Sequence, residues 1–135
     1  MRMIHIDLAH ALDYEHIQHI AASRRISRMA FIDLHQVEIR EMAPGFFGRF
    51  IHTELMTIVY WDILAGSSLP VHNHRHEQVT TVVEGIFDLT VAGDTQHLEA
   101  GMIAVIPPEV PHSGRAITAC RIIDVFSPPR EDYMK

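Results

Sequence analysis

The first thirty residues of the chain carry apolar side chains at helical spacing. Ile17, Ile20 and Ala21 follow the i, i+3, i+4 pattern of one helix face. Neither glycine nor proline interrupts residues 7 to 23. The sequence therefore predicts a helix over this stretch, and we interpret residues 1 to 30 as an N-terminal helical arm.

Beyond residue 30 the pattern changes to short apolar runs, rich in aromatic and β-branched residues, that alternate with turn sequences. The turns are marked by AGSSLP, EGIF, AGDTQ, EAG and IPPEVP. Among them, Gly93-Asp94 between FDLTV and QHLEA predicts a hairpin. Several short strands at regular spacing are typical of a sandwich or barrel. We therefore predict one all-β domain over residues 31 to 135.

Composition limits the classes of function. A chain of 135 residues with 47% hydrophobic and 21% charged residues can bury one hydrophobic core and is typical of a soluble globular protein. The net charge of −6 leaves no basic surface for nucleic acid. No stretch resembles a signal peptide or a membrane span, so we expect a cytoplasmic protein without a membrane partner.

The segment VHNHRHEQ, residues 71 to 78, predicts part of a metal site. On a strand, His72 and His74 share one face about 7 Å apart, so their imidazoles can converge on one ion. His76 would lie about 13 Å from His72 if the strand ran straight, beyond reach of the same ion. The chain must therefore turn before Gln78, which would begin the next strand and point inward.

A third imidazole is expected from His112. Three prolines, at positions 107, 108 and 111, restrain the backbone just before it, and a preorganised ligand loses less entropy on binding. His97 at a hairpin and His52 on an earlier strand are the other candidates. Glu77 could supply a fourth ligand, but its position places it on the opposite strand face from Gln78.

The spacing of these residues resembles the two motifs of the cupin superfamily. Gly66-x5-His72-x-His74-x3-Gln78-x6-Gly85 is similar to the first motif, and Gly101-x5-Pro107-x-Glu109-x2-His112 is similar to the second. The resemblance implies a double-stranded β-helix, the cupin jelly-roll barrel. Three positions depart from the usual pattern: Gln78 replaces a glutamate, Glu109 a glycine and Ala116 an asparagine.

The resemblance implies a divalent metal ion held by His72, His74, Gln78 and His112. Zn, Ni, Mn and Fe all suit histidine and amide ligands, so the metal remains open. Three neutral imidazoles and a neutral amide would leave the charge of the ion uncompensated. Such a centre is a strong Lewis acid and attracts anions.

The C-terminal stretch DVFSPPREDY, residues 124 to 133, together with HNHRHEQ, resembles small single-domain cupins of the KdgF type. Members of that family convert 4,5-unsaturated uronates to linear keto-uronates. The resemblance implies that Asp124 and Arg130 face the substrate. Arg75 departs from the pattern, which often has proline there. An unpaired Asp124 in the apolar run RIIDVFS would be costly unless it faced a wet pocket or a partner such as arginine.

Three functions follow as hypotheses. The first is a metal-dependent enzyme that opens the ring of a small acidic sugar bound in the barrel mouth. The second is an Fe(II)-dependent cupin dioxygenase or oxidase, which needs open coordination positions. The third is a non-catalytic small-molecule-binding cupin. We also expect a homodimer, because outer strands and N-terminal arms commonly build dimers in small cupins.

Overall fold

The structure is a computed structural model that describes residues 25–135. Ten strands account for most of this part of the chain, with short 3-10 helices at Leu34–Gln36 and Glu131–Met134. The strands are β1 (Arg40–Ala43), β2 (Phe46–His52), β3 (Thr57–Ile63), β4 (Ser68–His72), β5 (Glu77–Glu84), β6 (Phe87–Val91), β7 (Asp94–Leu98), β8 (Ile103–Ile106), β9 (His112–Ala116) and β10 (Cys120–Ser127). The all-β prediction is confirmed.

Two antiparallel sheets form a jelly roll. One has six strands in the order β1-β2-β3-β10-β5-β8, and the other has four in the order β4-β9-β6-β7. The C-terminal strand β10 lies between β3 and β5 and pairs antiparallel with both. This arrangement brings residues from distant parts of the sequence onto adjacent strands.

The core lies on the inward-facing positions of the strands. Along β3 every second residue is buried, as period-two side-chain alternation requires. The Trp61 ring makes edge contacts with Phe50, at 5.5 Å between centroids, and with Phe46, at 6.1 Å. These contacts hold the indole in place, so that its N–H has a defined direction inside the sandwich.

The predicted β6–β7 hairpin is confirmed. Val91 pairs with Asp94, which leaves Ala92 and Gly93 as the two loop residues. Both have positive φ, 49° and 83°, as a tight two-residue turn with the twist of the flanking strands requires. The turn thus lies one residue earlier than Gly93-Asp94.

The helix predicted over residues 7 to 23 lies outside the described residues. Of the proposed arm over residues 1 to 30, residues 25 to 30 are described and form no helix; Ile26 makes a parallel bridge to Thr53. The arm and the homodimer stay predictions. In residues 25–135 no helix has both the length and the hydropathy to cross a membrane.

His52 is a fully buried histidine at the end of β2. Its Nδ1 lies 2.8 Å from the hydroxyl of Thr57, and its Nε2 is buried without a hydrogen-bond partner. Burial, reinforced by the positive charges of Arg40 and Arg25, lowers the pKa of His52 to about 4. The ring is therefore neutral in the folded protein under conditions that protonate an unfolded histidine.

This depressed pKa predicts a loss of stability on acidification. Between about pH 6.5 and 4 the unfolded chain binds a proton at His52 that the folded chain does not, so the free energy of unfolding falls, by up to about 3 kcal/mol. Urea denaturation of metal-free protein across this window measures it. We expect a shallower decline for His52→Gln and the wild-type slope for His35→Gln, which changes an exposed histidine. Equal slopes for both variants would contradict the prediction.

Candidate metal centre

Three histidines meet at the end of the four-stranded sheet. His72 is the last residue of β4 and His112 the first of β9, and the two are cross-strand partners. His74 follows two residues after β4, and its ring centroid lies 4.9 Å from that of His112. One ring nitrogen from each histidine lies within 4.8 Å of the others. One metal ion can therefore contact all three rings.

Backbone carbonyls fix the same tautomer in all three imidazoles. Each ring donates its Nδ1–H to a carbonyl oxygen within two residues along the chain. The bonds run from His72 to Pro70 at 2.8 Å, from His74 to His76 at 3.0 Å, and from His112 to Val110 at 2.8 Å. Each neutral ring then carries a lone pair on Nε2. Such outer hydrogen bonds orient metal-binding histidines.

Burial keeps two of the rings neutral. The pKa of His74 is lowered to about 4 by burial, by the positive charge of Arg130 and by His112. The pKa of His112 is also lowered, with burial the largest cause. Neutral imidazoles coordinate a cation without first losing a proton. The Nε2 atom of His112 is buried and has no hydrogen-bond partner, which fits a group that binds a metal ion.

The chain turns between the histidines and Gln78, as predicted. Strand β4 ends at His72 and β5 begins at Glu77, with bends at the two residues before it. Gln78 is buried whereas Glu77 is exposed, so their opposite faces are confirmed. His76 is also buried, does not belong to the histidine cluster, and has neither ring nitrogen in hydrogen-bonding geometry with a partner.

The turn of the second motif supports the histidine segment. Glu109, at the position where the motif usually has glycine, has φ of 64°. This left-handed conformation is one that glycine adopts more readily. The backbone N–H of Glu109 donates to the carbonyl oxygen of His74 at 2.8 Å. Glu109 thus adopts a backbone conformation that glycine favours, and its N–H links the second motif to the first.

A chain of hydrogen bonds runs inward from Gln78, whose amide lies against His74. The Gln78 Oε1 atom lies 3.1 Å from Nε2 of His74, and Gln78 Nε2 donates to Thr80 Oγ1 at 3.0 Å. The Thr80 hydroxyl donates to Asp124 Oδ1 at 2.6 Å. The indole N–H of Trp61 donates to Asp124 Oδ2 at 2.9 Å. Asp124 thus has buried donors on both carboxylate oxygens.

Five of the six predicted site residues line one cavity between the sheets. The cavity has a volume of about 50 Å³. Its polar lining includes His72, Gln78, His112, Asp124 and Arg130. His74 is the predicted residue that does not line it. The tertiary structure therefore brings the C-terminal aspartate and arginine to the face that carries the histidines.

From the sequence, a buried Asp124 was expected to need a wet pocket or a partner such as arginine. In the structure it lines the cavity and is hydrogen-bonded to uncharged side chains. Burial raises the pKa of Asp124, and hydrogen bonds from Thr80 and Trp61 oppose part of that effect. A raised pKa makes this carboxylate a stronger base than an exposed aspartate. Its direct partners are the Thr80 hydroxyl and the Trp61 indole, with the Gln78 amide as a further hydrogen-bonding neighbour, while Arg130 acts on it through its charge.

Arg130 is a buried guanidinium whose position depends on the C-terminal segment. Its Nε and Nη2 donate to the two oxygens of Asp132, at 3.0 and 2.7 Å. The guanidinium also lies 3.9 Å from the ring centroid of Tyr133 and 4.8 Å from that of Phe126. These contacts hold the arginine at the cavity, with the Nε–Nη2 edge of its guanidinium already bound to Asp132.

Sequence reasoning missed several supporting residues. Thr80 carries no motif signal, and only its place two residues after Gln78 on one strand face could have indicated it. Asp132 and Tyr133 lie within the stretch that resembles KdgF-type cupins, yet their contacts with Arg130 depend on the local fold. The unusual Arg75 forms an ion pair with Glu131 at 2.9 Å, which joins the histidine segment to the C-terminal segment.

Solved structures of known proteins resemble this arrangement over most of the chain. An RmlC-like cupin from Shewanella frigidimarina NCIMB 400 is 36% identical, with a TM-score of 0.70 over 73% of this chain and 90% of that one. KdgF from Halomonas sp. is 28% identical, with a TM-score of 0.74 over 78% of this chain and 98% of that one.

Curated relatives match over shorter parts of their own length. H2HPP isomerase of Bacillus subtilis is 26% identical over 105 residues, which are 76% of this chain and 44% of that protein. The HTH-type transcriptional regulator PuuR of Escherichia coli K12 is 40% identical over 57 residues, which are 41% of this chain and 31% of that protein. The chain thus spans less than half the length of these two relatives.

A family model matches the part of the chain that contains both histidine motifs. It is described as the cupin domain and covers residues 59–126, which begin within β3 and end within β10. The jelly-roll topology and the three convergent histidines agree with that match. This chain belongs to the cupin domain family.

Proposed function

We propose that this protein is a metal-dependent enzyme that acts on a small acidic sugar, and that its reaction is the KdgF-type conversion of a 4,5-unsaturated uronate to a linear keto-uronate. The observation that carries the proposal is the cavity that joins the histidine centre to Asp124 and Arg130. Similarity to KdgF over almost the whole of that chain supports the choice of substrate class.

His72, His74 and His112 would hold the metal, with Gln78 as the fourth ligand. A bound divalent ion supplies Lewis acidity toward a substrate oxygen. The four donors are neutral, so the centre would keep its positive charge and favour an anionic substrate. The positive charge of a bound ion and that of the Arg130 guanidinium would face the same cavity, which suits a ligand with a carboxylate.

Arg130 is suited to hold the uronate carboxylate. Asp132 occupies the edge of the guanidinium formed by Nε and Nη2. The edge formed by Nη1 and Nη2 can bind a carboxylate with two parallel hydrogen bonds. Stacking on Tyr133 holds the guanidinium plane, which limits the directions from which the substrate can approach.

Asp124 is suited to move a proton. Opening the ring of an unsaturated uronate requires hydration of an enol ether and proton transfers. The raised pKa of Asp124 allows its carboxylate to take up a proton and return it. In this proposal Asp124 acts on the substrate from the cavity wall.

The test is an assay of the purified protein with 4,5-unsaturated galacturonate, in which the loss of the unsaturated uronate absorbance is followed with and without a chelator. We expect turnover that chelator abolishes and that added Zn²⁺, Ni²⁺, Mn²⁺ or Fe²⁺ restores. Absence of turnover with every one of these metals at saturating metal would reject the proposal.

A second candidate function is non-catalytic binding of a small molecule. The 40% identity to part of a transcriptional regulator favours it, because that relative is named for regulation rather than catalysis. Calorimetry with acidic sugars separates the two functions. Reversible binding without turnover would support the binding module, whereas product formation would support the enzyme.

A further inference from the structure

The orientation of the Gln78 amide decides whether this residue can bind a cation. An amide side chain has an acceptor oxygen at one end and a donor nitrogen at the other, and the two ends have nearly the same shape. Only the orientation with Oε1 toward the histidines offers a lone pair to a metal ion. Some neighbouring group must therefore select it.

Thr80 and Asp124 make this selection. Asp124 in its carboxylate form only accepts, and it takes the indole N–H on Oδ2 and the Thr80 hydroxyl on Oδ1. The single hydroxyl proton of Thr80 is therefore donated to Asp124 and is not available to Gln78. Toward Gln78 the Thr80 oxygen can only accept, so Gln78 must present its Nε2 there, at 3.0 Å.

The opposite end of the amide then faces His74 in an arrangement that a cation between the two groups would stabilise. The Nδ1–H of His74 is donated to a carbonyl, so its Nε2 carries a lone pair. The Gln78 Oε1 atom, also an acceptor, lies 3.1 Å from it. Reversing the amide would give His74 a hydrogen bond and remove both lone pairs from the centre. The buried hydrogen bonds that join Gln78, Thr80 and Asp124 oppose that reversal, because Thr80 has no further proton to donate to the Gln78 oxygen.

We propose that Thr80, oriented by Asp124 and Trp61, is a positioning residue that holds the Gln78 carbonyl oxygen toward the metal. The inference rests on the metal centre of the proposed function and deepens it. It also gives Asp124 a structural effect on the centre, separate from any contact with substrate. Loss of a partner that orients a ligand typically lowers metal affinity about 10- to 100-fold.

The experiment compares Zn²⁺ affinity by competition with a chromophoric chelator, without substrate. We expect Thr80→Val, which keeps the side-chain shape, to weaken Zn²⁺ binding about 10- to 100-fold. Thr80→Ser, which keeps the hydroxyl, should retain the wild-type affinity. Thr81→Val is the matched control, because Thr81 lies on the opposite face of β5 and is only half-buried.

A double-mutant cycle with Gln78→Glu isolates the effect on amide orientation. A carboxylate has two equivalent oxygens and needs no orientation, so Thr80→Val should leave the Zn²⁺ affinity of Gln78→Glu unchanged. An equal loss with Gln78 and with the glutamate variant would overturn the inference. So would unchanged affinity in Thr80→Val, or no Zn²⁺ binding by the wild type.

Asp124→Asn provides a second variant should Thr80→Val not fold. In this variant the asparagine oxygen would accept the indole N–H of Trp61, and the asparagine NH₂ group would donate to the Thr80 oxygen. The Thr80 hydroxyl proton would then be free to donate to Gln78, which would favour the reversed orientation of the Gln78 amide. We expect weaker Zn²⁺ binding with Gln78 and a smaller loss with Gln78→Glu; equal losses would overturn the inference.

A protein that shows these couplings but turns over no uronate would retain the inference and reject the proposed function.

Discussion

Replacement of His112 by alanine is expected to lower the affinity for divalent metal more than about 100-fold. Loss of a residue that only supports a ligand typically lowers metal affinity about 10- to 100-fold, and His112 is itself a proposed ligand. His112 is buried, neutral and held by a backbone carbonyl, and its Nε2 points into the histidine cluster without a partner. Its removal leaves two imidazoles, too few for a stable site. Uronate turnover should disappear with the metal.

Chelator competition and metal analysis of the purified variant measure this effect. His97→Ala is the control, because His97 is a histidine of β7 that pairs with Asp88 on the surface. Circular dichroism should show that both variants keep the β-sheet fold. Wild-type metal content in His112→Ala would show that the metal binds elsewhere, and would remove the histidine cluster as the centre.

Asp124→Asn is expected to lower uronate turnover about 100- to 10,000-fold at saturating metal, the range for loss of a general acid or base. The substitution is nearly isosteric, but an amide cannot take up and return the proton. Thr80→Val serves as the comparison, since saturating metal should restore most of its turnover. Metal should not restore the turnover of Asp124→Asn.

Steady-state kinetics at several Zn²⁺ concentrations separate these two roles. Asp62→Asn is a charge-matched control on the neighbouring strand β3, where Asp62 pairs with Arg49 and Arg121 rather than lining the cavity. Its turnover should equal that of the wild type. Full recovery of Asp124→Asn at high metal would contradict a proton-transfer role and leave Asp124 with the positioning effect alone.

The fold could be predicted largely from local pattern. Period-two alternation, turn residues and glycine at positions of positive φ are properties of short segments, so they can be read without knowledge of the rest of the chain. The β6–β7 hairpin is an example: the sequence predicted a hairpin here, and its two-residue turn lies one residue earlier than predicted. The order of strands within the sheets depends on packing between distant segments.

The metal centre was predictable where spacing constrains geometry. A turn had to separate His74 from Gln78, since a straight strand would have carried the later residues out of range. His112 was preferred because three prolines restrain the backbone before it, but sequence spacing alone left His52 and His97 as other candidates. The pairing of β4 with β9 brings His112 beside His72 and leaves His52 buried on another strand, where Thr57 takes its Nδ1.

The sequence by itself determined the strand pattern, the turns and the half of the centre formed by His72, His74 and Gln78, because each is set by residues close together in the chain. Only the tertiary structure decided that Asp124 contacts Thr80 and Trp61, that Arg130 lines the same cavity as the histidines, and that the Gln78 oxygen faces His74. Directions of hydrogen bonds in a buried network depend on which strands become neighbours, and β10 lies between β3 and β5, two strands far from it in sequence.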